Sequence, residues 1–360
     1  MNKFKNFLLI SIVLVFFLET ISFTIYKLNL LEISHKPKLY MSKNFVPNNE
    51  WWTEENEWGA WHTKNAKTIQ KKSCFNVTYE SNEIGARDKS FLSNNKNDII
   101  LIGDSFAEGY GVNYTNTSQK YIEDINNFNV LNFGVSLNFG PVQYSIIYNK
   151  LASKYKHNKL LIYFLPANDF GENDYNNWNG SKRYRPYYKK INDNLYETFI
   201  PNDAIINYSS NTKKIKKIFK DYFWSSALFI NLNYQYKIYR SQKKNKLNKF
   251  SAYFDAPLNQ QQAAIYFLNK IIDNTRADVF LVSIPRIQDF QKLSEGYSLD
   301  DVYWNIYFKN KSSQNNNFIF IDLIKYPPNN LHEIFLTCDG HWSPKGNYWA
   351  ARIISNFLNK

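Results

Sequence analysis

Hydrophobic residues fall along this chain in three rhythms, and the changes of rhythm divide it. The first is an apolar run from Phe7 to about Tyr26, broken only by Glu19, Thr20 and a few Ser and Thr. Its length matches the roughly 20 residues that span a bilayer. The second is a set of short apolar runs: Ile99–Gly103, Asn129–Phe133, Lys159–Leu165, Val279–Ile284 and Phe318–Leu323. Buried parallel strands read as continuous apolar runs, whereas half-exposed strands alternate. The third rhythm has helical spacing and fills the intervals: Gln119–Asn126, Gln143–Lys156, about Gln260–Asn274, and a last helix from Ser343-Pro344 to about Leu358. Ser at an N-cap followed by Pro at the first helical position is a start signal. Strands alternating with helices predict a three-layer α/β/α sandwich on a mainly parallel five-stranded sheet with right-handed crossovers.

Two stretches break the pattern. Residues 27–72 are polar and rich in Trp (Trp51, Trp52, Trp58, Trp61) with no helical period, and an extended arm packed on the domain is expected there. Beyond it, Phe75–Tyr79 alternates like a strand and Asn82–Asp88 reads as a turn. Residues 173–256 read as an insertion: a hairpin over Tyr184–Ile191 and Leu195–Ile200, turning at Asn192-Asp193-Asn194, and then a helical stretch from about Asn211. That stretch is basic, with Lys213, Lys214, Lys216, Lys217 and Lys220, and later Lys243, Lys244 and Lys246. Such a run is usually a solvated face, and its functional alternative is docking to anionic glycan or lipid headgroups. The expected organisation is a cytoplasmic tail (1–6), a transmembrane anchor (7–26), the arm (27–72) and one large domain (73–358) interrupted by 173–256.

Lys3 and Lys5 favour a cytoplasmic N-terminus, although Lys27, Lys36 and Lys38 weaken the asymmetry. Glu19 would cost roughly 2.5–3.5 kcal/mol at the centre of a span, which the Leu, Ile, Val and Phe residues around it outweigh. A cleaved signal peptide is the alternative, but no small-x-small site follows the run. A single uncleaved anchor is therefore expected, with the domain periplasmic or extracellular.

Charge changes this picture little. The net charge of +13 comes with abundant Lys, Asn, Ile, Phe and Tyr together, the bias of an AT-rich coding sequence. No nucleic-acid reader motif is present, so no nucleic-acid partner is expected. The 28 Phe, 27 Tyr and 9 Trp suit sugar-stacking surfaces as well as cores. Cys74 and Cys338 are the only cysteines. An exported pair within reach closes to a disulfide, and a pair buried apart does not, so the sequence leaves the bridge open.

The candidate chemistry starts at Gly103-Asp104-Ser105. An apolar strand that stops at Gly delivers the next side chains to the sheet's carboxyl edge, where open α/β folds bind ligands. Alone, the triplet reads equally as a strand-to-helix turn capped by Asp104 or Ser105. A nucleophilic Ser105 needs a base. Of five His, His341 has the distinctive setting, in a loop before the last helix with Asp339 two residues upstream. A carboxylate there can hold the imidazole tautomer and stabilise the imidazolium. Donors for an oxyanion could come from the backbone of Gly134, the amide of Asn168 and the backbone of Ser105, all predicted on one edge. Gly109-Tyr110-Gly111 is too short for a dinucleotide loop. His332, Glu333, Cys338, Asp339 and His341 fit no zinc spacing. No cofactor and no metal are expected.

Taken in order, Gly103-Asp104-Ser105-Phe106-Ala107-Glu108-Gly109, Gly134, Asn168-Asp169 and Asp339-Gly340-His341 resemble the blocks of the SGNH or GDSL-type hydrolases and esterases, over roughly residues 75–358. The resemblance implies a flavodoxin-like fold, Ser105 as nucleophile, Asp339 and His341 completing a triad, and Gly134 and Asn168 serving the oxyanion hole. The common family pattern places Asp three residues before His, and here it is two. The shorter spacing is similar to that of SGNH-like proteins associated with exopolysaccharide O-acylation, which brings acyl transfer beside hydrolysis. A membrane-anchored SGNH domain likewise resembles proteins that add or remove acyl groups on cell-surface glycans. The expected substrate is an acylated glycan, through its O-acetyl or other O-acyl groups, or another small ester, with a membrane acyl-donor partner if the reaction is transfer. The alternative is a non-catalytic glycan-binding subunit of a polysaccharide acylation or export pathway.

Overall fold

The computed structural model describes residues 2–28, 30–31, 51–72, 74–91, 98–136, 139–178, 185–193, 195–201, 219, 222–233, 236, 240 and 250–359. The chain divides into two compact units, one of Met1–Pro47, Lys71–Ser73 and Asn207–Asn248, the other of Asn48–Gln70, Cys74–Ile206 and Lys249–Lys360.

In the first unit the N-terminal apolar run folds as one helix, α1 (Asn2–Lys27). It is long and apolar enough to cross a membrane, a description that a signal sequence would also meet. Residues 224–233 form a second helix in this unit. The basic positions Lys213, Lys214, Lys216, Lys217, Lys220, Lys243, Lys244 and Lys246 lie outside the described residues, as does the arm over 32–50.

The second unit is built on β5 (Asp98–Ile102), β6 (Asn129–Asn132), β7 (Lys159–Phe164), β10 (Asp278–Ser283) and β11 (Phe318–Asp322). They run parallel in the order β11-β10-β7-β5-β6. Side chains alternate between the faces, as a period of two requires. Ile100, Ile102, Leu131, Leu160, Ile162, Val279 and Leu281 point to one face. There they meet α4 (Pro141–Lys150), α6 (Leu258–Ile272) and α8 (Tyr303–Gln314) through Ile147, Leu268 and Phe308. Ile99, Leu101, Val130, Leu161, Tyr163 and Val282 point to the other. They meet α3 (Ser118–Asn126) and α9 (Pro344–Leu358) through Ile122, Ala351 and Ile354. Both faces are covered, so the strand interiors are apolar and the polar residues fall at strand ends, such as Asn132, Ser283 and Asp322. The predicted three-layer sandwich is present, and Ser343 caps α9 by accepting from the Gly346 N–H.

Two departures and one agreement concern the elements around this sheet. Residues 51–72 hold β1 (Trp52–Glu55), β2 (Gly59–His62) and β3 (Lys67–Lys72), with β1 and β2 an antiparallel hairpin, where the sequence showed only an arm. Trp51, Trp58, Trp61 and His62 are all buried, so these strands are fixed by burial rather than by alternation. In the insertion, β8 (Tyr187–Asn192) and β9 (Leu195–Phe199) form the predicted hairpin. Two helices had no sequence signal: α7 (Ile287–Ser294), only eight residues long, and α8, whose apolar residues form no single stripe.

The topology puts chemistry in one place. The chain moves from β5 outward to β6 on one side, then returns to β7 on the other. The crevice at the carboxyl ends of β5 and β7 is thus the switch point where ligands bind in open α/β sheets.

Candidate active site

The strand β5 ends at Gly103 and the chain turns at once into α2 (Ser105–Glu108). Asp104 caps this turn, its Oδ1 accepting from the Phe106 N–H at 2.9 Å. Gly109 closes it in the left-handed region at φ 79°, a conformation open to glycine at little cost. Ser105 therefore occupies the first helical position, half-exposed, with its N–H among the entry donors that no carbonyl of the helix can meet. The far end of α2 is tied down by buried Arg87, which donates to the carbonyls of Glu108 and Gly109 and, through its other nitrogen, to that of Val112, each at 2.6 Å. Its guanidinium also lies 3.5 Å above the Tyr79 ring. Burial alone would raise the Glu108 carboxyl, but His62, Arg87 and Ser136 outweigh it and hold it below its usual range. Arg87 was read from sequence only as part of a turn. A lone Arg beside Asp88 carries no signal that its guanidinium will hold a helix end.

The His341 loop closes on itself. Phe335 and Trp342 form an antiparallel bridge, the Leu336 N–H donates to the His341 carbonyl at 2.8 Å, and the Asp339 N–H donates to that of Leu336 at 3.2 Å. Within this loop Asp339 Oδ1 meets His341 Nδ1 and also accepts from the His341 backbone N–H at 3.3 Å. His341 Nε2 lies 2.7 Å from Ser105 Oγ. The imidazole sits between Phe106 and Tyr110, at ring separations of 4.9 and 4.5 Å. A single residue between Asp339 and His341 thus suffices here, because the tight loop lets the carboxylate fold back onto the nearby ring. Cys338, next to Asp339, is bridged to Cys74 with Cα atoms 5.6 Å apart, which answers the question the sequence left open. His332 remains exposed.

Asn168 follows β7 on a short turn of helix, α5 (Pro166–Asp169). Its amide donates to Asp104 Oδ2 at 3.1 Å, which holds it on the Ser105 side of the crevice. Gly134 is different. Its N–H donates to Asn132 Oδ1 at 2.7 Å, so the donor assigned to it from sequence is already engaged. What Gly134 provides is room: a Cβ there would lie 2.4 Å from the Glu108 nitrogen and 2.6 Å from the Ala107 carbonyl carbon, so only glycine lets α2 sit against β6. The nearby Asn132 was the signal that could have revealed this, since a short amide two residues before a glycine can turn onto its N–H.

Arg286, just beyond β10, also went unread. Its guanidinium packs on the loop between Asp339 and His341, where a Cβ on Gly340 would meet Nη2 at 2.0 Å. Beside Asn168 opens a cleft of about 280 Å³ lined by Phe170, Glu172, Phe250, Pro257 and Gln260 among others. Another of about 300 Å³, lined by Lys309, Phe320, Tyr326 and Phe357 among others, includes none of the candidate residues.

Two buried carboxyls support the edge. Burial pushes Asp104 up to about 6, against the pull of the Phe106 N–H, His341, Asn168 and Arg286. Burial and then the charge of Asp104 push Asp169 well above its usual range, while its oxygens accept from the Leu165 N–H at 2.8 Å and the Tyr144 hydroxyl at 2.9 Å. For Asp104 the folded pKa lies above the unfolded value of 3.8, so the folded state holds its proton longer. Its stabilising contribution is full below the unfolded pKa and is lost as pH rises through about 6. At about 1.4 kcal/mol per pH unit the loss is roughly 3 kcal/mol. Asp104→Asn keeps the cap and cannot ionise, so its stability relative to wild type should rise by that order between pH 4 and pH 7. Urea unfolding of both proteins at the two pH values checks this, and parallel pH profiles would refute it.

No family model matches the chain, and no curated protein matches it. Solved structures do. A member of the lipolytic protein G-D-S-L family from Veillonella parvula is 13% identical, over 73% of this chain and 98% of that chain, with a TM-score of 0.38. A lipase/acylhydrolase from Enterococcus faecalis is 14% identical, over 72% of this chain and 94% of that chain, with a TM-score of 0.36. A carbohydrate esterase family 2 enzyme with its carbohydrate-binding domain, from Corynascus thermopiles (Myceliophthora fergusii), is 12% identical, over 75% of this chain and 67% of that chain, with a TM-score of 0.38. In its own sheet order, in the order of its four sequence blocks and in the contacts of His341 with Ser105 and with Asp339, the chain resembles the SGNH or GDSL-type hydrolases.

Proposed function

We propose that the protein is a serine-dependent esterase or O-acyltransferase acting on O-acyl groups, O-acetyl first among them, of a glycan outside the cytoplasm. The observation that carries the chemistry is the hydrogen-bonded run from Ser105 Oγ through His341 to Asp339 at the switch point. Ser105 Oγ attacks the acyl carbonyl carbon while its proton passes to His341 Nε2, and Asp339 stabilises the imidazolium. The oxyanion takes hydrogen bonds from the Ser105 N–H and the Asn168 amide. His341 then gives its proton to the departing sugar oxygen, leaving the acyl group on Ser105. In the second half His341 removes a proton from water, for hydrolysis, or from a sugar hydroxyl, for transfer, and Ser105 regains its own.

Support for a glycan is the cleft beside Asn168, where exposed Phe250 offers an aromatic face of the kind sugar rings stack on. Support for a site outside the cytoplasm is the apolar α1 behind Lys3 and Lys5 and the Cys74–Cys338 bridge, a bond that persists in oxidising compartments.

A fluorophosphonate adduct mapped to Ser105, together with turnover of an acetyl ester assayed with and without oligosaccharide acceptors, tests the reading. Acetate release without acceptor means hydrolysis, and acetylated oligosaccharide means transfer. The absence of both adduct and turnover would overturn the proposal. Asn168→Ala should lower kcat about 10²–10³-fold, the scale of one lost oxyanion donor. Near-full activity in that variant would remove Asn168 from the hole.

A further inference from the structure

The first unit contains an arrangement that the ester chemistry does not use. Glu19 of α1 is an acid in an otherwise apolar helix, and its carboxylate is engaged by the start of the helix at 224–233. Oε2 accepts from the Trp224 N–H at 2.7 Å, and Oε1 from the Ser225 N–H at 3.0 Å and from the Ser225 hydroxyl. Trp224, buried, stacks on Tyr26 at 4.3 Å and meets Phe23 edge-on at 5.6 Å. On α1 the covered positions are Ser11, Glu19, Ser22, Phe23, Ile25 and Tyr26, all on one side of the helix.

Each helix answers a need of the other. With about 1.5 Å of rise per residue, Glu19 lies roughly 12 Å along α1 from Lys27. If Lys27 marks the headgroup boundary, that depth is within the roughly 15 Å half-thickness of the hydrocarbon. A carboxylate there needs donors, because water is absent. The first N–H groups of the second helix need acceptors for the same reason. Polar groups satisfied between helices and small residues at the contact are the pattern of packing in lipid.

The second helix is also inside out by the standards of a water-soluble fold. Its buried positions beyond Trp224 are Ala227 and Asn231, whereas Phe229 is 70% and Leu232 46% exposed. Flanking Phe219, Tyr222 and Tyr236 are exposed as well. The exposed side of α1 is equally apolar, from Phe7 to Leu18. These two apolar faces belong to one body whose contact face holds the Glu19 carboxylate, the Ser225 hydroxyl and the stacked rings of Trp224 and Tyr26.

We propose that the helix at 224–233 is a second membrane-embedded element, docked on α1 through Glu19 and presenting Phe229 and Leu232 to lipid acyl chains. A chain cut after α1 would lose the acceptor for the Trp224 and Ser225 N–H groups, so α1 is a retained part of this unit and not a removable leader. The proposal is independent of Ser105 and its chemistry, and its test needs no turnover.

Because Cys74 and Cys338 are paired, Phe229→Cys in the full-length chain offers one thiol for an environment-sensitive dye. The labelled protein is placed in phosphatidylcholine vesicles and quenched either by bromines on the acyl chains or by iodide in the water. Strong quenching by brominated lipid, with iodide quenching several-fold below that of the same chain unfolded in urea, is expected. Leu232→Cys should behave alike and stands in if the first variant folds poorly. Iodide quenching equal to that of the unfolded chain would overturn the proposal. So would insensitivity to both quenchers, which would mean that protein covers this face, and thiol-linked dimers of the unlabelled variant would identify a second copy as the cover. Adding Glu19→Ala should raise iodide access at position 229 while α1 keeps the chain in the vesicles, and unchanged access would overturn the docking role of Glu19. Intact mass of membrane-extracted protein should include α1, and a mature form lacking it would overturn its retention.

Discussion

His341→Ala and Ser105→Ala are each expected to lower kcat on an acetyl ester by roughly 10⁴–10⁶-fold, and the double variant no further. In the proposed reaction the two side chains act as one device. Ser105 Oγ is a poor nucleophile at neutral pH unless its proton has somewhere to go, and His341 Nε2, 2.7 Å away, is the acceptor in reach. Removing either leaves only the donors for the oxyanion. Folding should survive both changes. Ser105 is half-exposed and its hydroxyl contributes nothing to the core, while the loop around His341 is held by its backbone bonds between Leu336 and His341 and between Ser343 and Ile334. His332→Ala is the control, because His332 is exposed and should be nearly silent. Initial rates on one ester for all four variants decide the matter. If His332→Ala were the damaging change and His341→Ala the silent one, the base would move to His332.

The parts of this device that could be read from sequence are those set by short-range rules. The five central strands announced themselves because burial on both faces confines polar residues to the strand ends and leaves the run itself apolar. Ser105 and Asn168 followed from where those runs stop, since strand ends at a switch point converge. The Ser343 cap placed α9, and with it the loop before it that carries His341. Less legible were features fixed by partners distant in sequence. The hairpin of β1 and β2 depends on Trp51, Trp61 and His62 being buried together, and Trp-rich polar segments look alike whether buried or not. Gly134 was given a donor's role because a glycine at a strand end can offer its N–H. Only the position of Asn132 and the closeness of the Glu108 nitrogen show that its use is steric. Arg87 and Arg286 are both contacts across loops, with nothing in their local sequence to mark them. The helix at 224–233 shows the same limit from the other side. Glu19 counts against a span when α1 is read alone, and only the fold shows that its carboxylate oxygens accept from the backbone of a helix some 200 residues on.

Replacing both Cys74 and Cys338 by Ser is expected to cost stability much more than catalysis. The bridge spans 264 residues of chain, and in the chain-entropy model so long a loop is worth about 5 kcal/mol, with measured losses typically about 2–4 kcal/mol. That stabilisation acts mainly by restricting the unfolded chain, so its loss need not disturb the folded site. The site itself has local supports that do not involve sulfur. Asp339 accepts from the His341 backbone N–H, its own N–H donates to the Leu336 carbonyl, and the imidazole is packed between Phe106 and Tyr110. Cys338 also packs in a small apolar cluster with Phe75 and Leu336, which serine would serve less well but not empty. The expected result is therefore a fall of about 2–4 kcal/mol in unfolding free energy by urea, with kcat reduced less than about tenfold when assayed far below the unfolding midpoint. Thiol-reduced wild type should match the double variant on both measures. A loss of activity as deep as that of His341→Ala in a variant still folded at the assay temperature would show that the bridge, and not the loop's own hydrogen bonds, holds Asp339 against His341.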